Sequence, residues 1–138
     1  EAANSLSLFG KVSISHLVSV FCQDDHWLVR RSILAALEEL DAPAELMEVC
    51  TQALTGEDLT VKEAAIDSLA SLAGSSHHTA VLTQLLALTT AESSRLRARV
   101  AHALQKFDEP QAQSALIELR QDSDHQVVAA ALEDLFQQ

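Results

Sequence analysis

The sequence predicts an all-α solenoid of about four antiparallel helix hairpins. Three observations carry that reading. First, one apolar outline recurs as the quartets Val29, Ile33, Leu34, Leu37; Val61, Ala65, Ile66, Leu69; Leu96, Val100, Ala101, Leu104; and Val127, Ala131, Leu132, Leu135. Spacings of four and eight residues fall on one stripe of an α-helix, so each copy is a helix with one buried face. Second, the copies start 32, 35 and 31 residues apart, a period typical of stacked repeat arrays. Third, apolar residues make up 48% of the chain, which has only three Gly, two Pro and no Tyr, a poor supply for strands and tight turns.

The elements follow in order. Residues 1–8 carry little periodic signal and read as a frayed lead-in. Ile14, Leu17, Val18 and Phe21 stripe a first helix over 12–22. Asp24 or Asp25 then caps the helix that holds Val29, and the short connection makes the two helices antiparallel. Asp41-Ala42-Pro43 ends that helix and starts the next, with Pro43 in the first turn, where its missing N–H has no partner to lose. Leu46, Val49, Cys50 and Ala53 stripe this third helix, and Gly56 is its C-cap candidate. Asp58 or Thr60 caps the Val61 helix, which ends at Gly74. A fifth helix spans 80–89, and residues 90–94 turn into the Leu96 helix. Asp108-Glu109-Pro110 repeats the earlier proline device ahead of a seventh helix over 112–120. Residues 122–124 lead into the last helix. The repeats are therefore placed at about 9–41, 42–74, 75–108 and 109–138, in a single domain expected to belong to a longer chain.

The first helices keep the same register. Eleven residues before each quartet stand Val18, Cys50, Leu85 and Leu116, and eight before stand Phe21, Ala53, Leu88 and Leu119. A charge ladder runs beside them: Asp25 before Arg30, Glu57 before Lys62 and Glu92 before Arg97, with Ser123 and Val128 in the last copy. Each acid is expected to pair with its own or the neighbouring base. At the surface such pairs contribute about 0–1 kcal/mol each.

Charge and composition exclude several functions. A net charge of −11 argues against nucleic acid, whose phosphates need a basic face. It equally disfavours an anionic membrane surface, and no apolar run is long enough to insert in a bilayer. Cys22 and Cys50 do not form a disulfide framework and read as free thiols in apolar helices. The six histidines, at 16, 26, 77, 78, 102 and 125, form no i,i+4 ligand pair and no HExxH, so no metal or cofactor is expected. No nucleophile elbow or Gly-rich phosphate loop is present, and the chain is expected to be non-catalytic.

The outline of an acidic turn, Val-Arg, a small or apolar pair and Ala-Leu, as in VRRSILAALEEL (29–40), resembles HEAT repeats, in particular the short bacterial bilin-lyase-type repeats. The resemblance covers the chain from about Val12 onward, and the last copy departs from it in lacking both Arg and acid. It implies a right-handed superhelix whose second helices line the concave side, and protein binding as the role. Positions two, six and nine after each first core residue then give the partner-binding face: Arg31, Glu38, Glu63, Asp67, His102, Gln105 and Glu133. A basic or amphipathic protein segment suits this mixed, acidic face. Trp27, at the start of a second helix, reads equally well as a cover for the first repeat or as an anchor for a partner. The alternative roles are an accessory subunit of a bilin-lyase-type enzyme and the soluble domain of a larger membrane protein. The expected compartment is the cytoplasm, with the periplasm second. The apolar end helices, with Phe9, Val12 and Val20 at one end and Val128 and Phe136 at the other, predict self-association through an end.

Overall fold

The computed structural model describes the backbone of residues 2–136 and the side chains of residues 10–136. Glu1, the side chain of Phe9 and residues 137–138 lie outside the described set. The described residues form helices and turns without a strand. The chain divides into two compact units, Glu1–Ser68 and Leu69–Gln138.

In the first unit, α1 (Ala2–Gln23) packs on α2 (Trp27–Glu39) and α3 (Pro43–Thr55), and α2 also packs on α3. Helix α1 is longer than the sequence indicated: the expected lead-in is helical from Ala2. The cap of α2 also differs. His26, not an aspartate, caps it, with Nδ1 accepting from the Leu28 N–H at 3.2 Å. Asp24 acts one step earlier, its Oδ1 accepting from the His26 N–H at 2.9 Å. Pro43 opens α3 as expected, after Asp41 takes a left-handed φ of 53°. Gly56 is the C-cap of α3 but stays extended at φ −80°. Helix α4 (Leu59–Ser71) carries the division between the units and starts with Asp58 Oδ1 accepting from the Val61 N–H at 3.0 Å. It ends three residues before Gly74, which turns the chain at φ 139°.

In the second unit, α5 (His78–Ala87) pairs with α6 (Ser94–Leu104) and α7 (Pro110–Leu119) with α8 (His125–Ala131). Helix α5 lies alongside α7, and α6 alongside α8. Helices α5 and α7 each begin two residues earlier than the periodicity indicated. Asp124 caps α8 by accepting from the Gln126 N–H at 2.8 Å. The last repeat departs from the expected single helix. The Leu135 N–H bonds the Leu132 carbonyl instead of continuing the ladder, and a four-residue α9 (Glu133–Phe136) follows. Arg120 accounts for the break. Its Nε donates to the Ala131 carbonyl at 3.2 Å and its Nη2 to both Asp134 oxygens, at 3.2 and 3.3 Å.

The quartets form the core. All members of the first three are buried except Val29, which is half-buried. In the fourth, Val127 and Ala131 are buried, Leu132 is half-buried and Leu135 is exposed beyond the helix break. Phe21 and Phe107 are the largest fully buried side chains.

Candidate functional site

The repeat places the same column of side chains on successive second helices, and each unit shows what that column does. In the first unit Arg31, Glu38 and Asp67 are exposed and Glu63 is half-buried. Glu38 Oε2 accepts from Ser68 Oγ at 3.3 Å, which ties α2 to α4 and explains the buried serine. In the second unit His102 Nδ1 lies 2.7 Å from Glu133 Oε2, and Gln105 Nε2 donates to the Ala130 carbonyl at 2.8 Å. His102 thus reaches Glu133 at the start of α9 and Gln105 reaches α8, so both tie α6 to the following repeat. The ninth position of α4, Ala70, is buried and adds nothing to the face.

The charge ladder exists in a shifted form. Arg97 Nε and Nη2 bond Asp122 Oδ2 and Oδ1 at 2.8 and 3.1 Å, and Nη1 takes the carbonyls of Ala91 and Glu92 at 2.8 and 3.0 Å. The partner is therefore Asp122, one residue before Ser123, while the expected acids Asp25, Glu57 and Glu92 are exposed. An Asx-turn decides this. Asp122 Oδ1 also accepts from the Asp124 N–H at 2.9 Å, which fixes the carboxylate toward the preceding repeat. The Arg97 hydrogen bonds hold the Asp122 carboxyl below the usual carboxylate range, against the opposing effect of burial. They also raise the Arg97 pKa above its ordinary value.

Arg30, the equivalent residue in the first repeat, lacks that partner because Gly56 stands where Asp122 does. Its guanidinium lies 4.6 Å from the centre of the Phe21 ring, and its Nε donates to the Asp24 carbonyl at 2.9 Å. A cleft of about 300 Å³ opens beside it, lined by Asp25, Gly56, Glu57 and Asp58 among others.

Two of the six histidines are engaged with carboxylates in the neighbouring repeat. His78 Nε2 bonds Glu109 Oε2 at the start of α7, and its ring packs 4.8 Å from Phe107. His102–Glu133 is the second pair. Both pairs span 31 residues. The repeat length itself was the signal that could have found them. Among the described residues no group of three His, Cys, Asp or Glu is placed to hold a metal ion. Cys50 is buried, and burial pushes its thiol up to about 12, with Glu38 adding to the shift. Cys22 is exposed, its thiol 3.3 Å from Gln52 Oε1.

Trp27 is 41% exposed, its ring stacked on His26 at 6.1 Å. A groove of about 600 Å³ runs between α1 and α2, lined by Leu17, Val20, Leu28, Val29 and Ile33 among others. Among the described residues no helix is long and apolar enough to cross a membrane.

Antiparallel helices whose second members stack at a fixed register define a helical-hairpin repeat protein of the α-solenoid class. A family model of HEAT repeats matches residues 14–91 and 47–135, and the chain belongs to the HEAT repeat family. No match is found among curated proteins or among solved structures.

Proposed function

We propose that the chain is a non-catalytic protein-interaction scaffold that takes a partner segment on the polar face of its second helices. One observation carries the reading. Most side chains of this column are not spent in the core: Arg31, Glu38, Asp67 and His102 are exposed, and in the second unit His102 is held by Glu133 and Gln105 by the Ala130 carbonyl of the next repeat. HEAT repeats are typically non-catalytic binding surfaces, which agrees with this. The acidity of the chain favours a basic or amphipathic segment. Trp27 is exposed enough to serve as an anchor at the end of that face.

The test is affinity capture with the wild-type chain and with Arg31→Glu plus Glu38→Lys, after circular dichroism shows unchanged helicity. A partner held by the wild type and lost by the variant supports the assignment, and equal capture overturns it. A second reading, self-association, is favoured by Leu135 and Phe136, the latter 81% exposed. A concentration-independent monomer in sedimentation would remove it.

A further inference from the structure

We propose that the cleft beside Arg30, where α2 begins against the turn between α3 and α4, binds a carboxylate carried by a molecule that also bears a positive charge. A basic amino acid, free or at the end of a chain, is such a molecule. None of the column residues on the second helices lines this cleft, so the site stands apart from the polar face and goes beyond that reading.

The cleft is the place of a missing side chain. In the second unit Asp122, five residues before Val127, closes on Arg97, one residue after Leu96. Arg30 stands one residue after Val29, and five residues before Val61 comes Gly56. A Cβ added to Gly56 would lie 3.9 Å from Arg30 Nη1 and 3.4 Å from Ala53 O, both ordinary contacts. The carboxylate that Asp122 supplies in the second unit is therefore replaced in the first by about 300 Å³ of open space. Arg30 is held in position for it. The half-buried guanidinium lies over the Phe21 ring, 4.6 Å from its centre, and its Nε donates to the Asp24 carbonyl at 2.9 Å. That leaves the two Nη groups. Among the described residues neither has a hydrogen-bond or ion-pair partner, whereas all three nitrogens of Arg97 are engaged. An open guanidinium edge is matched by the two oxygens of a carboxylate.

The rim decides what carries that carboxylate. Asp25, Glu57 and Asp58 line the cleft, three acids beside one guanidinium. Asp58 spends Oδ1 on the Val61 N–H. Asp25 and Glu57 are exposed and make no ion pair among the described residues. They would repel a bare anion, whereas a ligand with a cationic group near its carboxylate satisfies both signs. A cation without a carboxylate would leave the Arg30 edge open and meet its repulsion. The volume stands at the small end of ligand sites, about 300–1,000 Å³, and suits a ligand the size of one residue.

The probes are acetyl-glycyl-lysine with a free carboxylate, its C-terminal amide, acetyl-glycyl-norleucine and free lysine. Each is titrated into the full chain at neutral pH while amide chemical shifts are followed. The expected result is saturation of the Arg30, Gly56 and Glu57 signals by acetyl-glycyl-lysine at about millimolar concentration. The amide and the norleucine form should each bind about tenfold more weakly. Gly56→Asp, which sets a carboxylate in the cleft, should abolish the response, while Gly56→Ala, which adds only the Cβ, should keep it. Asp25→Asn plus Glu57→Gln should erase the preference for the lysine form over the norleucine form. Tighter binding of free lysine assigns the site to a free amino acid, and tighter binding of acetyl-glycyl-lysine to a chain end. No saturation by either at about 10 mM, equal binding of the amide or the norleucine form, or full binding by Gly56→Asp would overturn the proposal.

Discussion

Arg97 and Asp122 face each other across two nearly parallel hydrogen bonds, 2.8 and 3.1 Å long, with only 17% and 12% of their side chains open to solvent. This single contact joins the start of α6 to the turn before α8. It is stronger than the surface ladder expected from the sequence, because both partners are held by further backbone bonds before they meet.

Arg97→Met should therefore cost about 2 kcal/mol, more than an exposed pair contributes and less than a fully buried one. Thermal melts followed by circular dichroism should show a drop of several degrees. A melting temperature within error of the wild type would mean that the pair is no stronger than a surface contact.

The same pair has a pH signature. Asp122 has a folded pKa below its unfolded one, so its contribution is fully present above the unfolded value, about 3.9 for an aspartate. It is lost as the pH falls through the folded value. Urea titrations of wild type and Arg97→Met should differ at neutral pH and converge as the solution is acidified below about pH 4. A difference that persists undiminished would assign the effect to packing by the arginine stem instead.

Gly56→Asp should stabilise the first unit. The backbone there is extended at φ −80°, a conformation any residue adopts, and an added Cβ would meet Ala53 O at 3.4 Å and Arg30 Nη1 at 3.9 Å. An aspartate would stand as Asp122 does, within reach of Arg30. The gain should be about 1 kcal/mol, part from the lost freedom of the unfolded glycine and part from the new pair. In an Arg30→Met background only the first part should remain. Urea midpoints of the four chains give both terms.

The two thiols should react in two stages. Cys22 is exposed, whereas Cys50 is buried with its thiol pushed up to about 12. An aromatic disulfide reagent at pH 8 should release one equivalent quickly from the folded chain and the second only in denaturant. Two equivalents at once would show that α3 opens readily.

Phe107 and Phe136 should behave as opposites. Phe107 is fully buried against His78, and Phe107→Ala should cost roughly 3–5 kcal/mol. Phe136→Ser should change stability by less than about 0.5 kcal/mol. Denaturant unfolding of both variants marks where the core stops.

The hairpin register was legible because buried positions obey the helical period whatever surrounds them, and Val61, Leu96 and Val127 sit where the pattern put them. The ladder was read one residue out of step. Asp25, Glu57 and Glu92 form the more regular column of acids, but the Asx-turn at Asp122 decides which carboxylate points inward, and that is backbone geometry, not periodicity. The His–Glu pairs escaped notice for a related reason: their members are 31 residues apart, and a search within one helix cannot see them. The break at Leu132 was hidden because its cause, Arg120, lies outside the helix, at the C-cap of α7.

Gly56 leaves two equivalent arginines held by different kinds of bond. In residues 69–138 Arg97 is pinned by the Asp122 carboxylate, whereas Arg30 in residues 1–68 leans on an aromatic ring and a carbonyl. Acidification below about pH 4 would then loosen the chain unevenly as the Asp122 contact is lost, and hydrogen exchange would quicken along α6 and α8 while α2 still held its protons. A stack assembled from near-identical layers would in that way acquire a preferred place to come apart.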